Sequence, residues 1–197
     1  IGAIGAALAV LVLAGRGGTA PLRLVLLGIG LNAWLMSITG FLLTRSDIVD
    51  AQRATTWLTG SVAGRDWSTV RTMALTCAVV LPLLVAHERV LATLQLGDDT
   101  ARALGLGVER ARLLVLLLAV VLTAVATASA GPVAFVAFVA PTVARRISGS
   151  PVALVPSALV GALLVVLADL VARRVFAPVE LPVGVVTGTI GAPGLLW

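Results

Sequence analysis

Residues 113–144 read LLVLLLAVVLTAVATASAGPVAFVAFVAPTVA, a run of 32 residues without a charged side chain. One helix needs about 20 residues to cross the roughly 30 Å hydrocarbon layer of a bilayer, so this run is too long for a single span. Gly131-Pro132 interrupts it, because proline lacks a backbone N–H and glycine loosens a helix. The pattern predicts a span that ends near Ala130 and a shorter helix from Val133 to about Arg146.

Five further stretches are apolar and almost free of charge, and each of them predicts one helix. They are Ile1 to Gly15, Leu24 to Thr44, Thr72 to Ala86, Ile147 to Ala168 and Leu181 to Trp197. With the divided run they predict an all-α, polytopic transmembrane helix bundle of about seven helices, formed by one domain over residues 1–197. The chain starts at Ile1 within an apolar stretch, so we expect a fragment of a longer protein that lacks its N-terminal helices.

Composition supports a membrane protein. Hydrophobic residues make up 59% of the chain and charged residues 12%, which is far from the composition of a soluble domain. All fourteen basic residues are arginines, which is typical of a GC-rich bacterial genome, and they stand singly or in pairs between apolar runs. Such arginines are typical of anchors at lipid headgroups. We therefore expect a multi-pass protein of a bacterial cell membrane, with the lipid bilayer and not nucleic acid around it.

The sequence contains no set of residues typical of an enzyme. Its one histidine, His87, stands beside Glu88, and its one cysteine, Cys77, lies in an apolar run where it acts as a small hydrophobic side chain. No Cys/His cluster, phosphate-binding loop or Ser/His/Asp set of familiar spacing is present in the sequence. We therefore expect no catalytic residue, no metal site and no cofactor bound by this chain.

A short helix is predicted within a long loop at residues 94–107, LQLGDDTARALGLG. Gly97 breaks the preceding helix, Asp98 and Asp99 favour a helix N-terminus through the helix dipole, and Gly105 ends the short helix. With a cytoplasmic C-terminus, this loop is inside and the inside loops carry eight arginines against six outside, which favours that orientation. A short, capped helix in a cytoplasmic loop is suited to act as a rigid lever.

Two further features are candidates for function. Asp169 is the only acidic residue near the end of a long apolar helix, and Arg173 follows four residues later on the same helical face. A structural ion pair near the membrane interface is the favoured interpretation, and a direct transport role is the alternative. The break at Gly131-Pro132 is a candidate wall of a pathway, because a broken helix at membrane depth is tolerated only against protein or water.

These strings resemble, in the same order and over essentially the whole chain, motifs of the iron-siderophore and vitamin B12 family of ABC transporter permeases (FecCD type). The motifs are WLTGS at 57–61 with GRDW at 64–67, LQLGDDTARALGLG at 94–107, GPVAFV at 131–136 with APTVAR at 140–145, ADLVAR at 168–173, and ELPVGVVTG at 180–188 with GAP at 191–193. The family usually has Pro-His where this chain has Pro141-Thr142. Thr142 is therefore not assigned the role of that histidine.

The resemblance implies the type II importer fold, with seven of ten family helices present and the first three missing. It also implies three protein partners: a second permease subunit, identical or paralogous, a cytoplasmic ABC ATPase that binds ATP-Mg, and an extracytoplasmic siderophore-binding protein. The implied ATPase-coupling residues are Gly97, Asp98, Asp99, Ala101, Arg102, Leu104 and Gly105. The implied docking residues for the binding protein are Arg173 and Arg174, and the implied pathway or gate residues are Thr19, Pro21, Gly131, Pro132 and Pro141.

The function expected from this resemblance is import of a ferric siderophore by alternating access, driven by the partner ATPase. The permease then performs no covalent chemistry, and the iron crosses while still chelated. Vitamin B12 or haem is the alternative cargo within the same family. An ion-coupled secondary transporter is disfavoured, because apart from Asp169 no ionisable residue is predicted within a span.

Overall fold

The computed structural model describes Gly5 and residues 21–62, 64–175 and 182–195, and from residue 21 onward the described chain contains nine helices and no strand. The helices are α1 (Pro21–Arg45), α2 (Ile48–Leu58), α3 (Trp67–Ala86), α4 (Glu88–Gln95), α5 (Asp98–Ala103), α6 (Val108–Ala130), α7 (Ala134–Ser148), α8 (Leu154–Val175) and α9 (Val183–Leu195). The predicted all-α fold is confirmed.

Four of these helices are long and apolar enough to cross a membrane. They cover Val25–Arg45, Trp67–Ala86, Val108–Ala130 and Leu154–Arg174. At most 11% of the residues in any of their apolar windows are buried within the protein. Such exposed apolar side chains are expected where the surroundings are lipid. Of the helix predicted at Ile1 to Gly15, only Gly5 is among the described residues.

The predicted division of the long apolar run is confirmed. Helix α6 ends at Ala130, and α7 starts at Ala134 and has only 15 residues. Gly131 separates them with a φ of 75°, which side chains other than glycine rarely adopt. Pro141 lies inside α7 and not at its end.

The predicted start of the next helix at Ile147 is wrong. Ile147 belongs to the last turn of α7, which ends at Gly149 in the left-handed conformation. The chain then turns through Ser150 and Pro151, and α8 starts at Leu154. Gly, Ser and Pro in succession are a turn signal that outweighs the apolar residues on either side.

Two long connections between the spans contain short helices of their own. Helix α2 lies in the connection between α1 and α3, and none of its residues is buried. Helices α4 and α5 fill the connection between α3 and α6. The polar connections are therefore partly helical rather than extended loops.

The core of the described bundle is formed where α7, α8 and α9 pack together. Its buried cluster consists of Ala168 and Ala172 of α8 with Val183 and Val186 of α9, and Val62 packs against it. Small side chains let helix backbones approach closely, which is the usual basis of helix packing in membranes. This cluster fixes the end of α8 to the start of α9.

Candidate functional site

Helix α5 lies between Gly97 and Gly105, two positions whose backbone conformation favours glycine. Gly97 has a φ of 98° and Gly105 a φ of 83°, and an added Cβ at either would meet no atom within 4 Å. The requirement is therefore one of backbone conformation and not of space. Asp98 and Asp99 lie in the first turn of α5, where the helix dipole stabilises a negative charge. The positive φ at both glycines separates α5 from the helices before and after it.

One side of α5 is held against the protein and the other is exposed. Ala101 is fully buried, and its carbonyl oxygen accepts a hydrogen bond of 3.0 Å from the Leu106 amide. Leu104 points outward with 66% of its surface exposed, and Leu96 is exposed to 61%. The exposed leucines thus flank the charged helix at its two ends.

Charged side chains connect α5 to the start of α6. The Arg112 guanidinium donates to the Asp98 carboxylate at 2.6 Å. Arg102 contacts Glu109 at 3.3 Å and Asp99 at 3.6 Å. The contacts of Arg112 with Asp98 and of Arg102 with Glu109 join the short helix to a membrane-spanning one.

At the opposite end of the protein, α8 ends in a charged turn. Arg173 Nε lies 2.9 Å from Asp169 Oδ2, and half of the Arg173 side chain is exposed. Arg174 is adjacent and exposed. Positive charges at a helix C-terminus are stabilised by the helix dipole, so both arginines stabilise this end of α8.

Three segments far apart in sequence meet through their backbones beside this turn. The Ser61 amide donates to the Ala130 carbonyl at 2.8 Å, and the Gly184 amide donates to the Gly60 carbonyl at 3.0 Å. The first hydrogen bond joins the segment after α2 to the end of α6, and the second joins it to the start of α9. Gly60, Gly131 and Gly184 are central to this contact, which we call the glycine junction.

The glycine junction has no room for side chains at its three glycines. A Cβ at Gly60 would lie 2.8 Å from the Pro132 carbonyl oxygen, and a Cβ at Gly131 would lie 2.9 Å from the Gly60 Cα and overlap the Trp57 carbonyl oxygen. A Cβ at Gly184 would overlap the Thr59 carbonyl oxygen. Contacts with backbone atoms cannot be relieved by a rotamer change, so the junction depends on glycine at each position.

An apolar cavity of about 140 Å³ lies among α7, α8 and α9. Its lining includes Phe135 and Val139 of α7, Leu164 and Leu167 of α8, and Thr187 of α9. Sites for ligands of drug size usually measure about 300–1,000 Å³. This cavity alone is therefore too small for a large cargo.

The profile of the FecCD transport family matches residues 1–197. The chain belongs to the FecCD transport family. It is 45% identical over 192 residues to the ferric enterobactin transport system permease protein FepG of Escherichia coli (strain K12), covering 97% of this chain and 58% of that protein. It is 39% identical over 198 residues to the iron(3+)-hydroxamate import system permease protein FhuG of Bacillus subtilis (strain 168), covering 100% of this chain and 59% of that protein.

A solved structure confirms the fold. It is described as a metal-chelate type ABC transporter in an inward-facing conformation, and it matches with a TM-score of 0.89 at 27% identity over 98% of this chain and 62% of that one. This FecCD-family chain thus spans less than two thirds of the length of these relatives. The family and the four apolar helices identify a multi-pass membrane protein.

The implied site residues of this FecCD-family chain fall into groups at the two ends of α6. The α5 segment lies beside the start of α6, whereas Gly131 and Pro132 follow its end, near the α8–α9 connection. Pro141 lies within α7. Pro21 is the first residue of α1, and Thr19 lies outside the described residues.

Three residues that the structure makes prominent are not among the site residues expected from the sequence: Gly60, Gly184 and Arg112. Both glycines stand within the motifs WLTGS and ELPVGVVTG, so motif membership was the available signal. Arg112 carried no such signal, because it stands outside every motif. Its contact with Asp98 becomes visible only when α5 folds back on α6.

Proposed function

We propose that this chain is the membrane-spanning part of a permease subunit that imports a ferric siderophore into a bacterial cell by alternating access. The observation that carries the proposal is helix α5, a short charged segment outside the spans that is tied to one of them. The relatives named for transport of ferric enterobactin and iron(3+)-hydroxamate support the substrate class.

The ATPase contacts the permease through α5. Leu104 and Leu96 supply exposed apolar surface, and Asp99 and Arg102 supply a charged rim. Buried apolar anchors with polar surroundings are the usual composition of a protein interface. ATP-Mg binds to the ATPase. This chain contributes to transport by a conformational change when the ATPase displaces α5.

The siderophore-binding protein docks at the other end of the molecule, on Arg173 and Arg174. An acidic group of the binding protein pairs with the Arg173 side chain, half of which is exposed beside Asp169. An ion pair at the rim of an interface contributes orientation and association rate more than affinity. The two arginines therefore guide the loaded binding protein onto the permease.

A second permease subunit completes the pathway. The cavity among α7, α8 and α9 holds about 140 Å³, and the larger spaces, of about 360 to 510 Å³, are open clefts at the surface, so we place the cargo space between two subunits. Gly131 and Pro132 form the break between α6 and α7 beside that space, and Thr19, Pro21 and Pro141 are further pathway or gate positions. The iron crosses while chelated and the permease performs no covalent chemistry.

Vitamin B12 or haem remains the alternative cargo, and the relatives named for iron chelates favour the siderophore. An ion-coupled secondary transporter is disfavoured, because Asp169 is engaged by Arg173 at the end of α8. A coupling carboxylate would have to exchange a proton or ion within the membrane.

The test is Leu104→Glu in the assembled transporter. A carboxylate at this exposed apolar position opposes ATPase docking, so cargo-stimulated ATP hydrolysis falls to the unstimulated rate while the permease remains folded. Ile48→Glu is the matched control, because Ile48 is an exposed apolar residue, at 86%, on α2 far from α5. Equal stimulation in Leu104→Glu and the wild type would overturn the assignment of α5.

A further inference from the structure

The contact between Arg112 and Asp98 is the shortest ion pair among the described residues. Arg112 Nη2 and Asp98 Oδ1 are 2.6 Å apart, and the two side chains are only 19% and 36% exposed. The neighbouring pair of Arg102 and Glu109 is longer, at 3.3 Å, with side chains 51% and 76% exposed. A short and partly buried charged hydrogen bond restricts its two groups far more than an exposed ion pair does.

Helix α5 needs such a restraint. It has six residues, and a helix this short has little stability of its own. Its C-terminal end is held by the turn at Leu106, whose amide donates to the Ala101 carbonyl, and by the exposed pair of Arg102 and Glu109. The turn holds the C-terminal end of α5, and Asp98 is at the N-terminal end. The ion pair therefore prevents α5 from swinging away from α6 about its C-terminal turn.

Helix α6 connects this restraint to the glycine junction. Its 23 residues give it a length of about 35 Å at roughly 1.5 Å per residue. At the far end, the Ala130 carbonyl accepts the hydrogen bond from Ser61 in the junction. One helix is thus fastened at both ends, to the ATPase-facing segment and to the backbone contact beside the α8 terminus.

We propose that Arg112 is a positioning residue that locks α5 to α6, so that displacement of α5 by the ATPase moves α6 as one body and reaches the glycine junction. The inference rests on the proposed function. Without this contact, α5 rotates about the turn at its C-terminal end, and the motion of the ATPase does not reach α6. ATP is then hydrolysed with less cargo moved.

The test measures cargo transported per ATP hydrolysed by the assembled transporter in proteoliposomes, for Arg112→Gln, Asp98→Asn and the double variant. Each single change lowers this ratio by about fivefold or more, the size of a typical coupling between sites. The ratio in the double variant is no lower than in the single variant with the larger loss, because both changes remove the same contact. Arg112→Lys keeps a cation opposite Asp98 and retains more than half of the ratio.

The matched control is Glu109→Gln, which removes the exposed partner of Arg102 and changes the ratio by less than about twofold. A ratio within twofold of wild type in Arg112→Gln, or additive losses in the double variant, overturns the role of Arg112. If Arg112→Gln does not fold, an unchanged ratio in Asp98→Asn overturns it equally. Failure of the wild type to couple ATP hydrolysis to transport overturns the proposed function instead.

Discussion

Alanine at Gly131 should destabilise the protein more than alanine at any glycine in open space. Gly131 has a φ of 75° and a ψ of −178°, a region of backbone conformation that is essentially restricted to glycine. Forcing another residue into such a conformation costs about 1–3 kcal/mol. The added Cβ also overlaps the Trp57 carbonyl oxygen and lies 2.9 Å from the Gly60 Cα. Overpacking of this kind costs about 1–3 kcal/mol more.

The two costs together are about 2–6 kcal/mol, a large part of the stability of a typical folded chain. At roughly 2 °C per kcal/mol, the apparent Tm should fall by about 4–12 °C. The assay is thermal unfolding of the detergent-purified permease, monitored by size-exclusion chromatography of heated samples.

Alanine substitutions at two other glycines separate the cost of backbone conformation from the cost of close contact. Gly149 has a φ of 64° but nothing within 4 Å of an added Cβ, so Gly149→Ala has the conformational cost alone. Gly40 lies within α1, also with nothing within 4 Å, so Gly40→Ala should leave the Tm unchanged or slightly higher. From highest to lowest Tm, the expected order is Gly40→Ala, Gly149→Ala and Gly131→Ala. A Gly131→Ala protein as stable as Gly149→Ala would refute the close backbone contact at the glycine junction.

Two further predictions concern the charged end of α8. Arg173→Gln should slow association of the loaded binding protein about threefold at low salt, with little effect on dissociation, and the difference should shrink at high salt. Stopped-flow binding at two salt concentrations measures this, with Arg53→Gln on α2 as control, and equal rates in both variants would contradict docking at Arg173. Asp169→Asn should keep ATP-dependent uptake within about twofold of wild type, because a partly exposed ion pair contributes little. Loss of uptake in a folded Asp169→Asn protein, together with sensitivity of the wild type to a protonophore at constant ATP, would favour an ion-coupled transporter.

Local patterns predicted the features that depend on neighbouring residues. The break after Ala130 follows from Gly131-Pro132, and the bounds of α5 follow from Gly97 and Gly105. The start of α8 at Leu154 was also encoded locally, in the turn residues from Gly149 to Pro151, but the apolar run around them obscured it. Glycine and proline were thus more informative than hydropathy alone.

Contacts between distant segments could not be predicted from such patterns. The glycine junction combines residues 57–61, 130–132 and 184, and no periodicity within one segment indicates that the three meet. The Arg112 contact with Asp98 likewise crosses the turn between two helices. An arginine at the start of a span is an ordinary headgroup anchor by sequence, and only the fold gives it an internal partner.

The most direct test of the central claim is uptake of a radiolabelled ferric siderophore by proteoliposomes that contain the permease dimer, its ATPase and the binding protein. The account predicts uptake that requires hydrolysable ATP, competes with unlabelled ferric siderophore and delivers iron still bound to its chelator. Uptake driven by an ion gradient without ATP, or uptake blocked by vitamin B12 and not by ferric siderophore, would contradict it.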